Sequence, residues 1–438
     1  MTPPAAARSR EVLGLAALAA IGPLTALAGA WLIGLRGWFN DFHIYYLAGA
    51  LVARGRSPYD PAAIDALGRS LGLDFVVGGG YSYPPPFALA MAPVSALPFG
   101  AAVGLFTTAS IAAFALTVGW WLGRIVPSGP HRAVLALGAG FYPPVAGSVF
   151  AGQANLLVLG LLGIGLAPFL PRADEGVRPE RSSAARSFAA GIAIGLSGIV
   201  KLAPLALAAP FALAALGLSS AAAALAGLVA GAVGALVIGI VLAPTAAAGA
   251  AGLGLLFAPD PFSTNQSLNG VVSRLFLDGD RTVAILAGEP EPFIVVATGA
   301  LAGATLVVLV RVLGGRSRPT ADGLAAALAL AIVAAAAGAP KNSFWNHAPV
   351  LLAIALALAA GGLTATRTRR ILVGVWLGAT ALQALLDRWL DQSNPPHSPA
   401  LTLLSGSATL ALLALWLALA AQSLSIRRRP VRRGADGA

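Results

Sequence analysis

The sequence has no cysteine and very little charge for its length. Its 438 residues include no Cys, four His and 10% charged residues, whereas 58% are hydrophobic and the mean hydropathy is +0.82. The lack of Cys excludes disulfides, a thiol nucleophile and thiolate metal ligands. The histidines are scattered without HExxH spacing, so we expect neither a metal nor another cofactor. A soluble protein of this size needs more charge to cover its surface, so the composition predicts an integral membrane protein.

Lysine is also nearly absent, although the formal net charge is +11. Lys201 and Lys341 are the two lysines, and all other basic residues in the count are arginines. These arginines form short runs between apolar segments, a distribution that sets membrane topology. We therefore expect the lipid bilayer, and not nucleic acid, as the partner of this basic chain.

Apolar runs long enough to cross a bilayer recur along the chain and predict an all-α membrane protein with about twelve transmembrane helices. The expected spans lie near residues 12–35, 98–123, 132–150, 153–170, 187–200, 203–218, 220–243, 292–312, 321–338, 348–363, 371–388 and 400–424. An even number puts both termini on one side, and the arginine-rich loops put that side in the cytoplasm of a cell-membrane protein. We expect one polytopic domain (1–438) with a basic cytoplasmic tail (425–438).

Two long polar segments, 36–85 and 244–292, face the extracytoplasmic side in this topology. In the first, Asn40 and Asp60-Pro61 are suited to begin short amphipathic helices lying on the outer membrane surface. Residues 84–97 are apolar but too short to span. They predict an interfacial or re-entrant helix, or the first turns of a kinked span.

Polar side chains that are costly in a membrane collect at the outer ends of the predicted spans. Asp41 follows aromatic residues that can desolvate it and suit it to act as a general base, although the start of a helix also stabilises such a carboxylate. Lys201 lies between apolar runs, where a lysine is either functional or an interface anchor. Residues 341–347 combine an ammonium group, amides and an imidazole. Together these groups indicate a pocket for an anionic ligand rich in hydroxyls.

The order of these residues resembles glycosyltransferase family 87, the mannosyltransferases that use polyprenyl-phosphate-mannose and have the C-type membrane fold. The resemblance covers about residues 38–350. The matching segments are 41–49, 55–59, 83–85, 152–155, Lys201 with Pro204, 265–268 with Arg274, and 345–347. In the last motif, Phe344 and Ala348 stand where the family usually has Ser and a second His.

This resemblance implies an inverting transfer of a sugar, with mannose expected, from a polyprenyl-phosphate carrier to a glycolipid or envelope glycan. It implies that Asp41 is the catalytic base and that no metal or cofactor takes part. The implied ligands of the donor phosphate are Lys201, His347, Lys341 and Arg274. The implied sugar and acceptor contacts are Tyr45, Tyr46, Tyr83, Gln153, Asn155, Asn265, Gln266 and Trp345.

Other interpretations stay open at this stage. An arabinosyltransferase or another hexosyltransferase using the same carrier would need only a few altered contacts. A transporter or flippase of envelope lipids would also have many spans, but it predicts two related halves and charges near the middle of the membrane. The sequence shows no such repeat. Neither a flippase nor an assembly scaffold needs a base at Asp41, so a substitution there separates these classes from an enzyme.

Overall fold

The protein is built from α-helices. The computed structural model describes residues 5–32, 39–73, 80–170, 183–201, 203–215, 220–245, 258–279, 282–313, 321–339, 343–360, 366–393 and 398–427. Within these ranges no strand occurs, apart from an isolated bridge between Asn265 and Ser343. The predicted all-α class is therefore confirmed.

The α-helices follow one another with short connections. They are α1 (Ala5–Leu32), α2 (Asn40–Ala53), α3 (Pro61–Ser70), α4 (Pro85–Met91), α5 (Phe99–Ile125), α6 (Pro130–Gly140), α7 (Pro143–Ala151), α8 (Asn155–Leu166), α9 (Ala184–Val200), α10 (Ala208–Ala215), α11 (Ala221–Val229), α12 (Ala235–Leu242), α13 (Leu268–Phe276), α14 (Glu291–Leu313), α15 (Ala321–Gly338), α16 (Val350–Ala359), α17 (Arg367–Ser393), α18 (Pro399–Leu404) and α19 (Ser407–Arg427). A π-helical turn, Ala230–Gly234, joins α11 to α12 in one continuous rod.

Six helical segments in the described ranges are long and apolar enough to cross a bilayer. They are Ala7–Gly29, Phe99–Ile125, Ala221–Leu242, Glu291–Leu313, Arg367–Leu386 and Pro399–Ser425. The pair α6 and α7, bent by 44°, makes a seventh if it is one broken span. All of them coincide with spans expected from the sequence, so the chain is a multi-pass membrane protein. The count of twelve crossings, the C-type topology and the orientation of the termini remain predictions.

Most of the other expected spans correspond to apolar helices that are shorter than a full crossing. These are Asn155–Phe169, Ala184–Val200, Asp322–Gly338 and Val350–Ala359. They pack against longer neighbours: α8 against α5, and α15 against α19. Because these helices are short, polar residues next to their ends are buried among the other helices. Lys201 ends α9, and Gln153 lies just before α8.

The contact between α9 and α11 depends on glycine. Gly191 and Gly195 on α9 face Gly227 on α11 and Gly231 in the π-helical turn that follows it, and a Cβ at any of them would overlap the backbone of the opposite helical segment. A spacing of four residues puts each pair on one helix face, which lets the two axes approach closely. These glycines therefore allow close packing of the helix that ends at Lys201.

The helices expected in the segment 36–85 are present. Asn40 begins α2, and Asp60 caps α3 by accepting a hydrogen bond from the N–H of Ala62 at 3.0 Å. Residues 84–97 form the short helix α4 and a separate 3-10 turn. The extended conformation of Leu97, before Pro98, then separates them from α5. The membrane side of this segment and of 244–292 stays a prediction. The expected basic tail lies outside the described residues from position 428 onward.

Candidate active site

A cavity of about 640 Å³ opens where the ends of several helices meet. Its polar end is lined by Asp41, Ser82, Tyr83, Gln153, Asn155, Lys201, Asp260, Ser343 and Asn346. These side chains come from distant parts of the sequence, and the fold alone brings them together. Five of them, Asp41, Tyr83, Gln153, Asn155 and Lys201, are site residues expected from the sequence.

The backbone around Asp41 is unusually constrained. Asp41 lies in the first turn of α2, and Phe39 just before that helix adopts a left-handed conformation with φ of 57°. Gly152 ends α7 with φ of +67°, and a Cβ there would lie 2.7 Å from the Cβ of Phe42. Only glycine fits both the conformation and the space. This close approach places Gln153, the next residue, beside the start of α2.

A hydrogen-bond network orients the Asp41 carboxylate. The side-chain oxygen of Gln153 accepts hydrogen bonds from the hydroxyls of Tyr45 at 2.9 Å and Tyr83 at 3.4 Å. The two hydroxyls themselves lie 2.8 Å apart. Because its oxygen is engaged in this way, Gln153 donates its amide N–H to Asp41. The amide thus links Asp41 to the two tyrosines.

The surroundings of Asp41 favour a stronger base. Burial raises the pKa of Asp41 above its ordinary value, and the charge of Lys201 and the Gln153 hydrogen bond offset this only in part. The carboxylate keeps some accessible surface because it faces the cavity, and it lies outside the candidate spans. A desolvated carboxylate with a raised pKa takes up a proton more readily, which suits general-base chemistry.

Lys201 faces the same cavity from the end of α9. Its Nζ donates a hydrogen bond to Oδ1 of Asn346 at 2.7 Å and lies 5.7 Å from the centre of the Tyr83 ring. Burial lowers the pKa of Lys201 to about 7, although nearby Asp41 favours the charged form. An anionic ligand in the cavity would favour that form further. Lys201 is thus suited to bind and balance a negative charge.

Arg274, an expected phosphate ligand, lies beside the cavity and not in its lining. Its guanidinium group is fully buried and donates hydrogen bonds to the carbonyls of Phe262 at 2.9 Å, Asn265 at 2.8 Å and Ser405 at 3.1 Å. These bonds tie residues 258–267 to the connection between α18 and α19. Arg274 therefore fixes the path of the loop that supplies Asp260 to the cavity.

Gln266 and His347 belong to the same buried cluster as Arg274. The amide of Gln266 donates to the carbonyl of Ser263 at 3.1 Å, and Nε2 of His347 is hydrogen-bonded to the Gln266 carbonyl at 3.1 Å. Burial lowers the pKa of His347 to about 4, so its imidazole is neutral near pH 7. In this structure the two residues hold a backbone turn next to the cavity.

The remaining expected site residues are more dispersed. Tyr46 donates its hydroxyl hydrogen bond to the Leu97 carbonyl at 2.9 Å, away from the cavity lining. The Asn265 side chain donates to the Asp260 carbonyl at 3.2 Å. Lys341 and the side chain of Trp345 lie outside the described part of the chain.

Sequence reasoning gave no role to the cavity-lining residue Asp260, and it noted Asn346 only as part of the segment 341–347. The backbone N–H of Asp260 is held by the side chains of Asn269 at 3.1 Å and Ser273 at 3.0 Å. The signal for Asp260 was its position between two prolines next to the polar run 263–267. Asn346 adjoins the expected residue His347. Ser82 and Ser343 gave no comparable signal.

From its polar end the cavity continues as an apolar channel between α14 and α15. On α14 it is lined by Thr298, Leu301, Ala302, Thr305, Leu306 and Leu309, which share one helix face. Mostly small residues of α15 also line it, namely Ala331, Ile332, Ala334, Ala335, Ala336 and Gly338. From Thr298 to Leu309 the helix rises about 16 Å, at about 1.5 Å per residue. The cavity thus joins a polar end, which contains Lys201 and the carboxylates of Asp41 and Asp260, to an apolar channel.

Comparison with known proteins adds one match. The model of glycosyltransferase family 87 matches residues 81–340, which is more than half of the chain. The matched stretch contains Tyr83, Gln153, Lys201 and Asp260, whereas Asp41 lies before it. No curated protein matches the chain. Among the described residues, no group of three or more acidic or histidine side chains is placed to hold a metal ion.

Proposed function

Because the chain belongs to glycosyltransferase family 87 and is a membrane glycosyltransferase, we propose that it transfers a sugar from a polyprenyl-phosphate carrier. Mannose is the expected sugar, and the acceptor is a hydroxyl of a glycolipid or envelope glycan on the extracytoplasmic side. One observation carries the proposal: a single cavity joins a half-buried carboxylate and a buried lysine to an apolar channel. A nucleotide-sugar donor has no hydrocarbon tail that would occupy that channel.

In this proposal the donor lies along the cavity. The polyprenyl tail occupies the channel between α14 and α15, whose lining is almost wholly hydrocarbon. The phosphate lies at the polar end next to the Lys201 ammonium group, which Asn346 orients. Arg274 and His347 act on the donor indirectly, because their hydrogen bonds hold the adjoining loop. Lys341 remains a proposed phosphate contact.

The reaction is a single displacement with inversion. Asp41 accepts the proton of the acceptor hydroxyl while that oxygen forms a bond to the anomeric carbon. The bond from the anomeric carbon to the phosphate oxygen breaks, and its electron pair leaves with the polyprenyl phosphate. Lys201 stabilises the negative charge that grows on the phosphate. A β-linked donor sugar thereby becomes an α-linked product.

The sugar rings would be held by the polar groups around Asp41. Tyr83, Gln153 and Asn155 line the cavity next to the base, and Asp260 faces it from the second polar segment. Carboxylates and amides offer the acceptors and donors that sugar hydroxyls need. Tyr45, Tyr46, Asn265, Gln266 and Trp345 remain proposed contributors, directly or through the neighbours they position.

The test compares the wild type with Asp41→Asn in membranes. Radiolabelled polyprenyl-phosphate-mannose is supplied with extracted envelope lipids, and label in the glycolipid fraction is followed at matched protein levels. Parallel arms use the arabinose and glucose forms of the donor. Asp60→Asn is the matched control, because Asp60 caps α3 outside the cavity and asparagine also caps helices.

We expect label from the wild type and from Asp60→Asn, but a loss of at least about a hundredfold for Asp41→Asn, as for removal of a general base. Equal labelling by Asp41→Asn would show that a residue other than Asp41 is the catalytic base. Labelling with arabinose or glucose in place of mannose would change the proposed sugar. No label with any donor, from wild type in intact membranes, would contradict the proposed reaction and favour a lipid-transport or scaffold role.

A further inference from the structure

The helix α13 has its polar side buried and its apolar side turned outward. Asn269 is 3% exposed, and Ser273 and Arg274 are fully buried. The outward residues Val271, Val272, Leu275 and Phe276 all keep accessible surface, whereas Leu268 at the start of the helix also packs against the hydrophobic core. This is the reverse of an amphipathic helix lying in water, which buries its apolar side.

The outward side of α13 is continuous with the exposed apolar surface of α14. Together with α14 it forms a groove lined by Val272, Leu275, Phe276, Leu286, Ala287, Phe293, Val296 and Ala297, with no polar side chain among them. Phe276 stacks on Phe293 with ring centres 5.0 Å apart. Phe293 and Val296 are 56% and 70% exposed near the beginning of α14, a candidate span. The groove therefore lies where that span enters the hydrocarbon.

The backbone next to the groove finds hydrogen-bond partners within the protein. The Leu275 carbonyl accepts from the N–H groups of Ile285 at 2.9 Å and Leu286 at 2.7 Å. The N–H of Ala284 donates to the Asp278 carboxylate at 2.8 Å. Polar backbone groups are tolerated in hydrocarbon only when they are satisfied in this way. These bonds satisfy the backbone of residues 284–286, which adjoins the apolar groove, although the Asp278 carboxylate that accepts one of them is exposed.

From these observations we propose that α13 is embedded in the edge of the bilayer and that lipid acyl chains fill its apolar groove. Part of the segment 244–292, expected from the sequence to be an extracytoplasmic loop, is thus immersed in lipid. The helix α3 shows the opposite polarity, with Ile64 fully buried and Arg69 exposed. Its exposed side is polar, so we expect Arg69 to meet water, and α3 provides a control within the same chain.

The immersed helix also supports the cavity. The side chains of Asn269 and Ser273, on its buried face, hold the backbone N–H of Asp260, which lines the cavity. In this proposal the short helix α13 therefore contacts lipid on one face and the loop that carries Asp260 on the other. This contact does not depend on which sugar is transferred, or on whether the proposed reaction is correct.

Site-specific fluorescence can test the position of α13, because the chain has no native cysteine. Leu275→Cys, Leu286→Cys and the control Arg69→Cys are labelled with an environment-sensitive dye and reconstituted in phosphatidylcholine vesicles. Quenching is measured with aqueous iodide and with phosphatidylcholine brominated either near the headgroup or near the chain end. Leu286 is 48% exposed, so a label there leaves the packing intact.

We expect brominated lipid to quench the labels at Leu275 and Leu286 several-fold more than it quenches the Arg69 label. Bromine near the headgroup should act more strongly, and iodide should show the reverse order of sites. Iodide quenching at Leu286 as strong as at Arg69 would overturn the proposal. Protection of Leu286 from both quenchers would also overturn it, since a second copy or another protein would then cover the groove.

Discussion

Replacing Lys201 with arginine should remove the alkaline limit of sugar transfer. Burial lowers the pKa of Lys201 to about 7, whereas a guanidinium group stays charged at every pH of interest. Above pH 7 the charged fraction of a lysine with that pKa falls about tenfold for each pH unit. If the charge stabilises the leaving phosphate, kcat/KM for the donor should fall by the same factor.

The acid side of the same profile should belong to Asp41. Its pKa is raised above the ordinary 3.8 by burial, and only the ionised carboxylate can accept the acceptor proton. The value of kcat/KM should therefore rise as pH passes upward through that raised pKa and fall again beyond about 7, giving a bell. In the proposed reaction the donor phosphate favours the charged form of Lys201, so the alkaline limb of kcat should lie at higher pH than that of kcat/KM.

The assay uses purified enzyme in detergent, so that both faces of the protein meet the same pH. The wild type, Lys201→Arg and Lys201→Met are compared by the shape of the profile, which is unaffected by an overall loss of rate. We expect the arginine variant to keep the acid limb and lose the alkaline one, and the methionine variant to be weakly active without an alkaline limb. An unchanged alkaline limb in Lys201→Arg would show that another group titrates, and would refute the assignment.

Two further predictions follow from the geometry. Gly152→Ala should lower kcat/KM by about tenfold or more, because its Cβ would meet Phe42 and displace Gln153 from Asp41. Gly55→Ala, with a similar φ of +69° but open space around it, should keep its activity; equal losses would implicate backbone strain alone. The pKa of His347 is about 4 in the folded protein and 6.5 for an ordinary histidine. Between these two pH values the histidine is therefore protonated in the unfolded chain but neutral in the folded protein. Thermal stability in detergent should therefore fall as pH drops from about 6.5 toward 4 in the wild type and less so in His347→Gln; equal pH dependence would count against this reasoning.

Much of the fold could be predicted from composition and hydropathy. Apolar runs long enough to span, separated by arginine-rich loops, indicate a multi-pass helical protein because unpaired backbone groups are excluded from hydrocarbon. The start of α3 followed from the capping chemistry of Asp60, whereas α2 begins near the expected position without a capping hydrogen bond from Asn40, because Phe39 is its N-cap residue. Asp41, Lys201 and Gln153 were found because a polar residue at the end of an apolar run is a local and costly feature.

The sequence by itself thus determined the class of protein, most helix positions and the core of the candidate site. Only the tertiary structure decided which polar residues face the cavity. Asp260 and Asn346 line it, whereas Arg274 and Gln266 turn toward backbone carbonyls beside it. Hydropathy indicates where along a predicted span a residue lies. The direction in which its side chain points depends instead on how the neighbouring helices pack. The reversed polarity of α13 shows the same limit, because which face of an amphipathic helix meets lipid is set by what the rest of the chain buries.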